Sequence, residues 1–503
     1  MEFCVAAARP VLYYSLQGLA MNNMNRRQFW ERLAAGGTAV TVHGWLTTAA
    51  TSKPNIVLIL MDDMGAKDPA CFGSDFYETP NIDRLAREGM KFTQAYANAP
   101  NCAPTRACLM TGQYTPRHGV YTVGSSERGK AERRRIVPTP NTETLPAEKV
   151  TIAESLRAAG YSTFHGGKWH LGAKSTGPEG QGFDVNVGGF TAGSPPGGYF
   201  APWKAPGLTA APEGAHLCDY VTDQALAFIR EHQAGPFFVY LPFYDVHAPL
   251  QAKPALVEKY RQKKERVGQT KHRNAVYAAM VGNSDTNIGR VLKTLDDLGL
   301  AENTVVIFWS DNGGFGGATS QRPLRGCKGM LYEGGVRVPG IVRWTGKIAA
   351  GSTCATPAIT SDFYPTLLNI TGASRPPAEQ PLDGVSLEPL LAGGTIPDRP
   401  LFWHVPCYLE GIPEGFEQDA PDPEWRAVPA GSVRQGDWKL IESFDTGRLE
   451  LYNLASDPSE RKNLAVENAG KMRELHEVMK QWRQRVNAPV PTTPEPRYRA
   501  SSE

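Results

Sequence analysis

Several things are scarce in this chain of 503 residues. Net charge is one: 53 Lys and Arg against 51 Asp and Glu leave +2, without the basic excess of a dedicated nucleic-acid binder. Attraction for an anionic substrate must therefore be local. Cysteine is another. The eight, Cys4, Cys71, Cys102, Cys108, Cys218, Cys327, Cys354 and Cys407, include no CxxC and no zinc-ligand spacing, which excludes a dithiol redox motif and a zinc module; pairing of Cys102 with Cys108 stays open. Long apolar runs are missing after the N-terminal leader, so nothing there spans a membrane. No internal repeat is present. Gly (51) and Pro (40) are instead plentiful, as suits many loops on a rigid scaffold.

The first 50 residues read as an address. Asn25-Arg26-Arg27-Gln28-Phe29 precedes a mildly apolar stretch, Leu33 to Ala50, that ends in small residues. Paired arginines before such a segment look like a twin-arginine export signal, which places the mature protein in the periplasm or outside the cell. Gly36, Gly37 and His43 make the segment too polar for a stable span. Met21 or Met24 is an alternative start, because the first residues fit poorly as a signal n-region.

Strand-like and helix-like segments alternate from there. Asn55 to Met61 is a continuous apolar run, as in a strand buried on both faces. Thr79-Pro80 to Gly89 and Thr151 to Gly160 carry helix start and stop signals, the second a capping box. Tyr161–Phe164, Pro236–Tyr244 and Val305–Trp309 read as strands, and 274–298 as a long helix interrupted near Gly282. This order predicts an α/β fold, a large sheet with helices on both faces. Residues 53–395 form the expected main domain. After it, residues 396–490 form a smaller α+β subdomain: a Pro-rich loop over 411–430, two antiparallel strands within Ser432–Leu454, and a helix over Lys471–Val486. Residues 491–503 read as a mobile tail.

The polar candidates fall just beyond the strands: Asp62-Asp63, Lys168 and His170, His247, and Asp311-Asn312. Ligands of open α/β sheets bind beyond the carboxyl ends of the strands, so residues far apart in sequence converge. Taken singly, each Asp is ordinarily a turn or cap residue, and each Lys or His a solvated or structural group. Together, two oxygen-rich pairs suit a hard divalent cation, and Ca²⁺ takes about 6–8 oxygens; ligand chemistry alone leaves Mg²⁺ open. Arg106, Lys168 and Lys328 supply positive charge for an oxyanion, and the histidines move protons near neutral pH.

Cys102-Ala-Pro-Thr-Arg106, continuing through Gly112 to Gly119, resembles the signature in which type I sulfatases convert cysteine to formylglycine. Gly166 to Gly172, Tyr244 to Pro249 and Arg325 to Gly329 extend the resemblance over nearly the whole chain. The departures, Thr105 and Cys108 where Ser or small residues are usual, remove no reacting group. The resemblance implies the alkaline-phosphatase-like fold and hydrolysis of sulfate esters, with sulfated carbohydrate as substrate. It implies one Ca²⁺ per chain held by Asp62, Asp63, Asp311, Asn312 and residue 102, the last matured to formylglycine by a dedicated enzyme. Residue 102 is then the nucleophile and Asp311 its base. His247, assisted by Lys328, is the acid for the leaving group, His170 helps restore the aldehyde, and Arg106 and Lys168 meet the sulfate.

Competing readings are a phosphomonoester, phosphodiester or phosphonate hydrolase of the same superfamily, and an inactive sulfate binder. The first generally presents Ser or Thr as nucleophile and a His-rich second metal cluster; this chain has Cys102 and ten histidines. The second would have lost Cys102, Arg106 or a metal Asp. Two basic stretches, Arg128–Arg135 and Arg261–Arg273, read as solvated loops or as guides for a polyanion. Trp403 and His404 read as sugar-subsite or core residues, and the 188–198 and 411–430 loops as determinants of specificity.

Overall fold

The computed structural model describes residues 53–268 and 274–500; the export signal expected in the first 50 residues lies outside them. The chain runs through β1 (Asn55–Met61), α1 (Pro80–Glu88), β2 (Met90–Tyr96), α2 (Cys102–Thr111), α3 (Ile152–Ala158), β3 (Ser162–Gly166), β4 (Val185–Val187), α4 (Leu217–His232), β5 (Phe237–Pro242), α5 (Pro254–Val267), α6 (Ala275–Asp297) and β6 (Thr304–Ser310). Then follow α7 (Glu333–Val336), β7 (Arg337–Trp344), β8 (Ser352–Cys354), β9 (Ala358–Ile359), α8 (Phe363–Thr371), α9 (Glu388–Leu391), β10 (Leu401–Val405), β11 (Ala430–Gln435), β12 (Trp438–Ser443), β13 (Leu449–Asn453) and α10 (Ala469–Val486).

Nine strands make one mixed sheet, in the order β4-β3-β5-β1-β6-β7-β2-β8 with β9 also on β2. β1 lies inside it, parallel to β5 and β6, and every residue of β1 is buried. The two-residue period of a strand sends successive side chains to opposite faces. Val57, Ile59 and Met61 therefore pack with α1, α4 and α6, while Ile56, Leu58 and Leu60 pack with α2, α3 and α8. This is the α/β sandwich expected from the alternation. Because β3, β5, β1 and β6 are mutually parallel, their carboxyl ends share one edge. The register Met61↔Ser310 sets Asp62-Asp63 beside Asp311-Asn312.

Two local expectations fare differently. Thr151 caps α3 in a full capping box with Glu154, as its sequence predicts. The break expected at Gly282 does not occur, and α6 is continuous. A side chain at Gly282 would stand 3.1 Å from Tyr260 Oη, so this glycine serves the close approach of α5 rather than a helix stop.

The second sheet has four antiparallel strands, β10 to β13, with α10 packed across it around Leu475, Met479 and Trp482. The 432–454 stretch expected to give two strands gives parts of three, since β11 and β12 are joined by only Gly436 and Asp437. Residues 491–500 are not a loose tail. Pro494 bridges Ile136, Val137 N–H donates to the Thr493 carbonyl at 2.8 Å, and Arg499 N–H to that of Glu132 at 2.8 Å. Among the described residues, no helix is long and apolar enough to cross a membrane.

Candidate active site

Cys102 is the first residue of α2, where unpaired N–H groups and the positive end of the helix favour an anion. Its Sγ is 3.5 Å from His170 Nδ1. Burial alone would push this thiol up, but Lys168 and Lys328 bring it below its ordinary range.

Asp62 and Asp63 leave the end of β1. Lys168 Nζ donates to Asp62 Oδ2 at 2.6 Å, both groups fully buried. Asp63 receives Lys328 Nζ on both oxygens and Asn312 Nδ2 on Oδ1 at 2.8 Å. Asp311 Oδ2 is gripped by Arg106 through Nε at 2.9 Å and Nη2 at 2.8 Å, while Arg106 Nη1 donates to the Lys168 carbonyl at 2.6 Å. Arg106 is 1% exposed. Its guanidinium therefore braces Asp311 and the Lys168 backbone from within the cluster.

Burial raises Asp62 to about 6 although Lys168 and Arg106 oppose it, and burial with the neighbouring Asp62 raises Asp311 to about 6. Asp63 differs: burial would raise it, but Lys328, His247 and Lys168 hold it well below the usual carboxylate range. Burial and Lys168 push His247 down to about 4, and burial with Lys168 and Arg106 pushes His170 far below its ordinary value. Asp63 and His170 both adopt φ of 62°, left-handed for residues other than glycine. Such strain, about 1–3 kcal/mol each, is held only where the surroundings dictate it.

Oxygens of Asp62 and Asp311 lie within 4.8 Å of each other and of Cys102 Sγ, and those of Asp62 and Asp63 within the same distance of a His247 nitrogen. Asp62 Oδ1 and Asn312 Oδ1 are buried acceptors without a donor among the described residues. Carboxylates crowded together with two unused acceptor oxygens fit a hard divalent cation. The sequence-selected residues Asp62, Asp63, Cys102, Arg106, Lys168, His170, His247, Asp311, Asn312 and Lys328 are thus all gathered at one end of the sheet.

Exposure fixes which way the cluster opens. Asp62, Asp63, Arg106, Lys168, Asp311 and Cys102 are at most 2% exposed, whereas the side chains of Lys328 and His247 are 12% and 20% exposed. The second sheet steadies this rim. Arg325, three residues before Lys328, reaches Tyr452 Oη of β13 at 2.9 Å, and Asp419, in the Pro-rich loop between β10 and β11, accepts Gly326 N–H at 3.1 Å.

Two residues were not singled out in the sequence. Asp245 is fully buried, and its backbone exchanges hydrogen bonds with the β1–Asp62 turn through Asp62 N–H and Val246 N–H. Burial and Asp219 push its carboxyl up to about 8. It sits in the same Tyr244–Pro249 run as His247, which was the available signal. Gly193 touches His170 so closely that an added Cβ would stand 2.5 Å from the ring; the 188–198 loop thereby backs that histidine. Trp403 and His404 are core residues: Trp403 Nε1 donates to the Ala97 carbonyl at 2.8 Å, and His404 Nε2 meets that of Pro489 at 2.8 Å. The 128–135 stretch is not a free basic patch, since Arg128, Arg133 and Arg134 pair with Glu410, Glu424 and Glu495; residues 269–273 of the second stretch lie outside the described residues.

Comparison with known proteins agrees with this arrangement. The sulfatase family model matches residues 54–373, and the model of the N-sulphoglucosamine sulphohydrolase C-terminal region matches 327–488. A sulfatase of Formosa agariphila is 34% identical over 88% of this chain and 90% of its own. Human N-acetylgalactosamine-6-sulfatase is 31% identical over 90% of this chain and 89% of its own. Among solved structures, Ps i-CgsB in complex with k-i-k-neocarrahexaose superposes with a TM-score of 0.70 at 27% identity, covering 86% of this chain and 93% of that one. The chain belongs to the sulfatase family and is a sulfuric ester hydrolase.

Proposed function

We propose that the protein removes sulfate from sulfated carbohydrate, using residue 102 as formylglycine and one Ca²⁺ held by Asp62, Asp63, Asp311, Asn312 and residue 102. The observation that carries this reading is Cys102 itself. It opens α2 inside the Cys-Ala-Pro-Thr-Arg run, 3.5 Å from His170 and beside unpaired acceptors of the acidic cluster. The carbohydrate part is supported by the relatives, one named for N-acetylgalactosamine-6-sulfate chemistry and one solved with a neocarrahexaose.

When bound, the ion supplies positive charge against the sulfate oxygens. Hydrated formylglycine supplies one hydroxyl to attack sulfur and a second whose deprotonation lets sulfate leave. The chain's residues supply the rest. Asp311 takes the proton of the attacking hydroxyl, on a carboxylate whose other oxygen Arg106 fixes in place. Lys168 and Lys328 add charge at the sulfate, the first from the buried side and the second from the rim. His247 Nδ1 lies 2.6 Å from the Ala248 carbonyl; a carbonyl only accepts, so Nδ1 carries a hydrogen, and Nε2, which burial and Lys168 leave neutral without substrate, takes up a proton against the negative charge of bound sulfate and passes it to the leaving oxygen. A sugar alkoxide leaves poorly without one. His170 Nδ1, nearest to residue 102, takes the proton of the second hydroxyl.

The reading also places maturation of Cys102 in the cytoplasm, before the twin-arginine route exports the folded protein. Replacing Arg26 and Arg27 by Lys should retain the protein inside the cell; normal periplasmic accumulation would refute that route. The function itself is tested by assaying the matured protein against defined sulfated mono- and oligosaccharides beside phosphate and phosphonate monoesters. Sulfate release from at least one saccharide, exceeding any phosphate or phosphonate turnover, is expected. Preference for phosphate or phosphonate would overturn it.

A further inference from the structure

A cleft at the far end of α2 takes part in none of these steps. α2 carries Cys102 in its first turn and ends at Gly112, about 15 Å away at about 1.5 Å per residue. There, Asp383 N–H donates to the Gly112 carbonyl at 2.9 Å, folding residues 382–385 onto the helix end. Together with Arg399 to Phe402 and the last turn of α10, they enclose a cavity of about 370 Å³, in the roughly 300–1,000 Å³ range of small-molecule sites.

Its polar lining is rich in donors. Arg117 gives Nε to both oxygens of Asp383, at 2.9 and 2.8 Å, and its two terminal nitrogens have no acceptor among the described residues. Arg399 pairs with Asp362 through Nη2, while its Nε is buried with no partner among the described residues. Trp482 is 3% exposed and its indole N–H is likewise unpartnered. Arg485 is exposed, has no hydrogen bond or ion pair among the described residues, and lies near enough to Asp383 to favour its carboxylate. Two guanidinium groups are thus matched by carboxylates and the third is not. Arg485 and the terminal nitrogens of Arg117 are therefore the donors open to an anion in the cleft. Val385, Pro400 and Val486 form an apolar wall beside them.

We propose that this cleft is a second, non-catalytic site that binds a sulfated sugar unit. The sulfate oxygens accept from Arg485 and the terminal nitrogens of Arg117, as planar guanidinium groups suit tetrahedral oxyanions, and the C–H face of the ring lies on the apolar wall. The inference rests on the carbohydrate reading given above and adds a second grip on the same polymer. Holding the chain there raises its effective concentration at the catalytic centre.

The test uses the full-length protein with Cys102→Ala, which binds without turnover, titrated calorimetrically with a sulfated galactan hexasaccharide and separately with inorganic sulfate. Adding Arg485→Glu should abolish one hexasaccharide site or weaken it by about tenfold or more, the effect of losing a charged hydrogen bond. In the protein with Cys102 intact, Arg485→Glu should leave kcat/KM for nitrophenyl sulfate within about twofold, as distant sites rarely couple, while raising KM for the polymer. Hexasaccharide binding unchanged by Arg485→Glu overturns the second site and leaves the carbohydrate reading standing. No hexasaccharide binding at all overturns both. Inorganic sulfate bound as tightly as the hexasaccharide in an Arg485-dependent way overturns sugar recognition, and an equal loss of aryl sulfate turnover would mean that Arg485 supports the fold.

Discussion

Lys328 Nζ lies 2.7 Å from Oδ1 and 2.8 Å from Oδ2 of Asp63, and its side chain is 12% exposed where that of Asp63 is 2%. The lysine therefore stands between a buried acid and the open side, able to address the acid and an incoming sulfate with one charge. Lys328→Ala should lower kcat/KM for aryl and sugar sulfates alike by about 10²–10³, the usual cost of one oxyanion donor. Steady-state kinetics on both substrates checks this, and an unchanged kcat/KM would remove Lys328 from the site.

His247, at the rim with Nε2 turned inward, should instead discriminate between leaving groups. His247→Ala is expected to slow a carbohydrate sulfate by about 10²–10⁴ and nitrophenyl sulfate much less, because nitrophenolate departs without a proton. Equal losses on the two would mean that His247 binds sulfate and that the acid is another group, with Lys328 next in line.

Arg106 holds Asp311 with a two-pronged grip that a lysine cannot reproduce. Arg106→Lys should therefore weaken Ca²⁺ binding by about 10–100-fold, as lost outer support of a ligand does. Competition with a chelating dye measures it without reference to turnover. Unaltered Ca²⁺ affinity would mean that Asp311 needs no brace.

Far from the site, His404 is fully buried and its ring is pushed down to about 3, mainly by burial. An unfolded chain protonates histidine near pH 6.5, so between about 6.5 and about 3 the unfolded state holds the extra proton and stability falls as pH falls. His404→Gln should remove about 1.4 kcal/mol per pH unit from that slope. Denaturant unfolding at a series of pH values tests it; parallel curves for the two proteins would contradict a buried neutral ring.

Much of this was legible in the sequence because of where the charged residues fall. Ile56–Met61 and Val305–Trp309 are apolar without interruption, so both strands and the acidic pairs after them stand out. Other features depend on neighbours that no local pattern names. The direction of the Arg106 guanidinium is set by Asp311, 205 residues away. Gly282 looks like a helix break until Tyr260 is placed against it. The 491–500 segment is fixed by the 132–137 stretch, and the cleft beside Arg485 joins residues from four separate parts of the chain. Asp245 shares the Tyr244–Pro249 run with His247, and no local pattern marks its carboxyl as buried.

The central claim is that residue 102 acts as formylglycine rather than as a thiol. Peptide mass spectrometry of active protein, with the modified fraction compared against specific activity across preparations made with and without the maturation enzyme, tests it most directly. Activity should rise in proportion to the formylglycine fraction and vanish where residue 102 is all cysteine. Full sulfatase activity in protein that carries only an unmodified thiol at residue 102 would contradict the account.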